Sequence, residues 1–163
     1  MKNPLYNRVM FVLSLAGLLI AGYLWFLHAT HGDVPCGGSS GCDKVAQSPY
    51  ARFPARTGPY VAAYGTLGYV GLTVLTFLRT LGGGPARDRV LLGLIVLGAG
   101  IGTIFSLYLT YLELNVIHAI CKWCVASQAL ILAVLVAGVV ELLQTHSFKS
   151  VSSSSSTGEP LTE

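Results

Sequence analysis

The chain has 163 residues, of which 53% are hydrophobic and only 10% charged, against about 25% charged in an ordinary soluble domain. That balance excludes a water-soluble enzyme, because the apolar surplus has to face lipid. A net charge of +3, with no basic patch interleaved with aromatic residues, gives no reason to expect a nucleic-acid partner.

Lys2 and Arg8 precede the first apolar run, Val9–Leu27 (VMFVLSLAGLLIAGYLWFL), 19 residues without a charge. That length crosses a hydrocarbon core of roughly 30 Å. The run exceeds the apolar core of a signal peptide, about 7–15 residues. His28-Ala29-Thr30-His31 also lacks an Ala-x-Ala cleavage site, so a retained membrane anchor is expected. A polar loop over residues 28–60 follows, with Gly37-Gly38-Ser39-Ser40-Gly41 between Cys36 and Cys42. Val61–Leu78 is the second span, and Arg79 ends it. LGGGPARDR is a short turn-forming connection. Val90–Leu112 is the third span, 23 uncharged residues that must tilt or pack deeply. The fourth runs from about Ile117 to Leu143, with Lys122 near one end and Glu141 near the other. Gly65, Gly68, Gly71, Gly93, Gly98, Gly100 and Gly102 suit close approach of membrane helices. The expected fold is therefore all-α: an integral membrane four-helix bundle over residues 1–145, with a long outer loop between helices 1 and 2. VSSSSSTGEPLTE is low-complexity, and 146–163 reads as a disordered cytoplasmic tail.

With four spans, both termini and the 79–89 loop share one side, which collects Lys2, Arg8, Arg79, Arg87, Arg89 and Lys149. The other side collects Lys44, Arg52, Arg56 and Lys122. The positive-inside rule then puts the termini in the cytoplasm. Parity puts Cys36 and Cys42, and also Cys121 and Cys124, on the opposite face, where disulfides form and persist.

The stretch HAICKWCVASQALILAVLV, residues 118–137, joins a dithiol to a membrane helix. Cys121-Lys122-Trp123-Cys124 on a first helical turn brings two sulfurs within bonding reach. The helix N-terminus favours the thiolate, and Lys122 adds positive charge. A stabilised thiolate is both the attacking and the leaving group of thiol–disulfide exchange. At the bilayer surface the pair can meet a lipid-soluble redox carrier. Cys36 and Cys42, in a flexible glycine-rich loop, can meet a soluble dithiol and swing back toward the helix. Electrons would enter at the loop pair and leave from the helix pair.

The motif C-x5-C-D-K-V-x-x-S-P-Y beginning at Cys36, followed by SLYLTYLE…HAICKWCVAS, resembles the vitamin K epoxide reductase family in its bacterial branch, over about residues 9–143. The resemblance implies a four-helix bundle around a quinone (ubiquinone or menaquinone) in the bacterial inner membrane. It also implies oxidation of a secreted thioredoxin-like thiol protein, so supporting disulfide bond formation. Carried over, Cys36 exchanges disulfides with that partner, Cys42 is resolved through an inter-loop disulfide with Cys121, and Cys124 faces the quinone. Ser48 matches a serine of the family's loop. Tyr64 and Gln128 fall at substrate-pocket positions of animal relatives. Those relatives use a pocket asparagine where Val61 stands, and a tyrosine where Gln128 stands, so epoxide reduction is not expected. Many bacterial relatives carry a fused thioredoxin-like domain. This chain ends twenty residues after its last span, so the partner is expected to be a separate protein.

Trp123, between the cysteines, is a candidate neighbour of the cofactor. Tyr60, Tyr64, Tyr108, Tyr111 and Trp25 read as an interfacial belt. Glu113 reads as a solvated helix end, with proton handling as the alternative. Four cysteines could also staple loops or hold zinc. A different class of protein, a tetraspanning structural or transport protein with purely structural disulfides, would be favoured by charges within the spans. The sequence reads as having none there. Another quinone-linked disulfide generator would place its Cys-x-x-Cys in the first outer loop, whereas here that motif comes last.

Overall fold

The computed structural model describes residues 4–30, 44–46, 48–52 and 58–154, with side chains through residue 145. Four of its helices are long and apolar enough to cross a membrane. The chain is a multi-pass membrane protein. Helix α1 spans Pro4–Ala29, α2 Val61–Thr80, α3 Pro85–Leu112 and α4 Lys122–Ser154. Between α1 and α2 lies a short 3-10 turn, Pro49–Ala51.

Helices α1 and α3 start earlier than their apolar runs because their first turns hold residues that hydropathy ignores. Pro4 begins α1 and Pro85 opens α3, positions where the missing proline N–H would have no helical partner anyway. Asp88 sits in the first turn of α3, at the positive end of its dipole. The α2–α3 turn requires glycine: Gly82, Gly83 and Gly84 all have positive φ, at 78°, 146° and 92°. The backbone of α4 continues helical through Ser154, into the segment read as tail. Residues 155–163 lie outside the described part.

Each helix packs on two neighbours, α1 on α2 and α4, and α3 on α2 and α4, so the bundle closes as a ring. Met10, Tyr69, Leu72, Leu92, Ile95, Ala99 and Val134 fill its core. Gly17 on α1 makes room for Tyr69: a Cβ there would fall inside the tyrosine ring. The Tyr69 hydroxyl then donates to the Ser127 carbonyl at 2.6 Å, tying α2 to α4. Leu19, Leu67, Leu97 and Ile104 point outward and are mostly exposed. In water such a surface would drive association; in a bilayer it is the lipid contact.

One expectation is overturned at the end remote from Cys121. The sequence places Arg79 in a solvated loop and leaves the spans free of charge. Instead Arg79 and Glu141 are each only 2% exposed. Arg79 grips two carboxylates with four hydrogen bonds. Nε and one terminal nitrogen donate to Asp88 at 2.9 and 3.0 Å. The two terminal nitrogens donate to Glu141 at 2.7 and 2.6 Å. Hydropathy scores residues singly, so it cannot foresee that charged groups at the ends of α2, α3 and α4 pair with one another.

Candidate redox site

Cys121 immediately precedes α4, and its carbonyl accepts the helix's first bond from the Val125 N–H at 3.1 Å. It therefore stands at the cap position, where helix amides lack partners. Its sulfur accepts from the N–H groups of Cys124 and Trp123. The residue is buried. The larger influence is the neighbouring thiol. A hydrogen bond from Cys124 to the Cys121 sulfur holds Cys121 below the ordinary thiol value, at about 7, against its burial and the nearby Glu113 carboxylate. Lys122, expected to add to this, is exposed and is not among the groups acting on Cys121. Both thiols are free here and in contact.

The acidity of Cys121 has a measurable consequence. Its alkylation by iodoacetamide should rise with pH through a midpoint at about 7 and level off only once the thiolate is fully formed. Replacing Cys124 by alanine removes the donor, so the midpoint should move upward toward the ordinary thiol range. An unmoved midpoint would mean that the helix amides alone set the acidity.

Cys121 and Cys124 open onto a cavity of about 470 Å3 whose lining is predominantly apolar. All four helices line it, together with Val45, Ala46, Ser48, Tyr50 and Ala51 from the segment between α1 and α2. Gly68 and Gly71 of α2 line it, and a Cβ at either would meet nothing within 4 Å. These two glycines, read from the sequence as helix contacts, leave cavity space instead. Gly102 does pack closely, lying against Ile131 of α4.

The predicted site residues distribute unevenly. Cys121, Cys124, Ser48 and Tyr64 all line the cavity. Ser48 is fixed by donating to the Val45 carbonyl at 2.8 Å. Tyr64 is partly exposed at the cavity's margin. Trp123 does not line the cavity. It packs beside Leu24 and Cys121, with its ring 6.1 Å from that of Tyr23 on α1. Residues three apart share a helix face, whereas the residue between them is turned away by the 3.6-residue period. Gln128 is also not part of the lining. Its side-chain oxygen accepts from the Thr110 hydroxyl at 2.6 Å, and Thr110 is the cavity residue of the two. Cys36 and Cys42 lie outside the described residues. Glu113, expected to be solvated, is only 5% exposed and lines the cavity. Its placement follows from a π-helical turn, Glu113–Ile117, that ends in His118 with left-handed φ of 52°. Spacing alone gives no signal of such a turn.

The family model described as "Vitamin K epoxide reductase family" matches residues 8–139. The chain belongs to the vitamin K epoxide reductase family. The match begins in the first turns of α1 and ends within α4, so parts of all four long helices and the Cys-x-x-Cys fall inside it. Within this family the chain is a membrane oxidoreductase, and its Cys121–Cys124 dithiol lies at the mouth of an apolar cavity.

Proposed function

We propose that the protein is a quinone-dependent thiol–disulfide oxidoreductase. It oxidises a separate extracytoplasmic thioredoxin-like protein at Cys36 and Cys42 and passes the electrons through Cys121 and Cys124 to a membrane quinone. The observation that carries this reading is the hydrogen-bonded Cys121–Cys124 pair, with Cys121 acidified, opening onto an apolar cavity among membrane helices. Its volume lies within the roughly 300–1,000 Å3 of small-molecule sites, and its few polar groups include the Tyr64 hydroxyl, a donor of the kind that a ring oxygen accepts from, and Ser48. A bound quinone would supply the two-electron acceptor. The protein's own residues exclude water, hold the ring beside Cys124 and exchange disulfides between the pairs. The transport alternative gains little from the buried charges, because Arg79 pairs with both Asp88 and Glu141 at the remote end of the bundle.

Purified in detergent with a quinone and a reduced thioredoxin-like protein, the chain should oxidise the protein and reduce the quinone in equal amounts. Protein oxidation without quinone reduction would overturn the proposal. The quinone route has its own test in Gly68. Gly68→Phe adds a ring where nothing lies within 4 Å of the first added carbon, so the fold should be retained while cavity space is lost. The KM for quinone should rise about tenfold, the equivalent of roughly 1.4 kcal/mol, with the melting temperature unchanged. An unaltered KM would place the quinone elsewhere.

A further inference from the structure

Glu113 is the only carboxylate among the described residues that line the cavity. It is held from two sides. Its Oε2 accepts from the Cys121 N–H at 3.2 Å, and its carbonyl accepts from the Ala119 N–H at 3.1 Å. Its carboxylate is also a hydrogen-bond acceptor for the Cys124 thiol, whose one proton it shares with the Cys121 sulfur. Neither ion pair among the described residues involves it. Burying a carboxylate without a cation is costly, and a π-helical turn is rare and most often found at functional sites. A structural cap for Cys121 would need neither an acid nor contact with the second sulfur.

We propose that Glu113 is the base that takes the Cys124 thiol proton as the Cys121–Cys124 pair is oxidised. The proposal rests on the function above and assigns it a further catalytic residue. As the Cys124 S–H bond breaks, an O–H bond forms on Glu113, and the freed sulfur closes the Sγ–Sγ bond with Cys121. The two thiols lose two electrons and two protons. Both electrons go to the quinone. One proton reaches it from Glu113; the Cys121 proton leaves to water at the cavity mouth, and water supplies the quinone's second proton. The product is a quinol, and Glu113 returns to its carboxylate form.

The test reads closure of the disulfide without any quinone. Reduced full-length protein, in a Cys36→Ala, Cys42→Ala background, is mixed with diamide, quenched with acid and alkylated, and the Cys121–Cys124 bridge is followed by mass. Diamide captures the acidic Cys121 first, and Cys124 must then lose its proton to displace it. Glu113→Gln keeps an oxygen for the Cys121 N–H but cannot take a proton. Closure should slow by roughly 10²-fold, the usual contribution of a general base, and the Cys121–diamide adduct should accumulate. Closure at the wild-type rate would overturn the proposal. Glu113→Ala provides an independent arm. Added formate should restore its closure rate in proportion to concentration, and no rescue would equally overturn the proposal. Neither arm contains a quinone. Failure here leaves the coupled assay of the parent protein intact, while failure of that assay leaves these rates readable.

Discussion

Cys124→Ser should reduce quinone reduction to the uncatalysed background, a loss on the order of 10⁴-fold or more by analogy with removal of other essential nucleophiles. The expectation follows from the covalent chemistry. A serine hydroxyl can still donate to the Cys121 sulfur, so the cap, the acidity of Cys121 and the bundle should persist. No bond equivalent to the disulfide can form, however, and two-electron release from the pair ends. Cys121 would remain able to attack an oxidised Cys36–Cys42 bridge once, releasing one of its thiols, and would then stall as a mixed disulfide. The measurement is quinone absorbance in detergent with a reduced thiol protein, accompanied by mass analysis of Cys121. Normal turnover would remove Cys124 from its proposed role; loss of turnover without any mixed disulfide would shift suspicion to folding.

Arg79→Ala should be the most destabilising single change in the described bundle. The substitution leaves Glu141, 2% exposed, and Asp88 facing each other without a cation. Breaking a buried pair by deleting one partner costs roughly 3–5 kcal/mol, most of it the uncompensated charge left behind. At about 2–4 °C per kcal/mol for a chain of this size, the melting temperature should fall by roughly 6–20 °C. Arg79→Lys should fall between, because an ammonium cannot replace four donors in a planar fork. Glu141→Gln should be milder than Arg79→Ala, since Arg79 keeps Asp88 and the local charge becomes neutral. Thermal unfolding in detergent, followed by tryptophan fluorescence, checks the ranking. Equal melting temperatures for Arg79→Ala and the parent protein would show that this cluster is not the fastening of the remote end. Asn7 of α1 donates there to the Thr80 hydroxyl at 2.9 Å, so all four helices converge on this region.

The two ends of the bundle thus divide the work. The remote end holds helix register by a dense, saturated ionic cluster. The cysteine end leaves space, keeps one sulfur acidic and places a carboxylate beside the other. The contrast explains why Glu113 and Glu141, both buried acids on apolar helices, differ in character: Glu141 is gripped by a guanidinium, whereas the contacts of Glu113 are an amide and a thiol.

Composition and the four long apolar runs were enough to specify a membrane bundle, because spanning lipid demands length and apolarity that few soluble helices carry. The Cys-x-x-Cys spacing likewise determined that Cys121 and Cys124 would share a helix face at its start, since backbone period and cap position are local properties. What lay beyond the sequence was every relation between helices. The inward turn of Glu113 depends on a π-helical turn, and the rotation of Trp123 toward Tyr23 depends on which neighbour α4 meets. The burial of Arg79 depends on two acids arriving from α3 and α4, and the open space beside Gly68 on how α2 and α3 diverge. Each is a choice among partners far apart in the chain, made by packing and charge neutralisation together, and only the assembled bundle decides it.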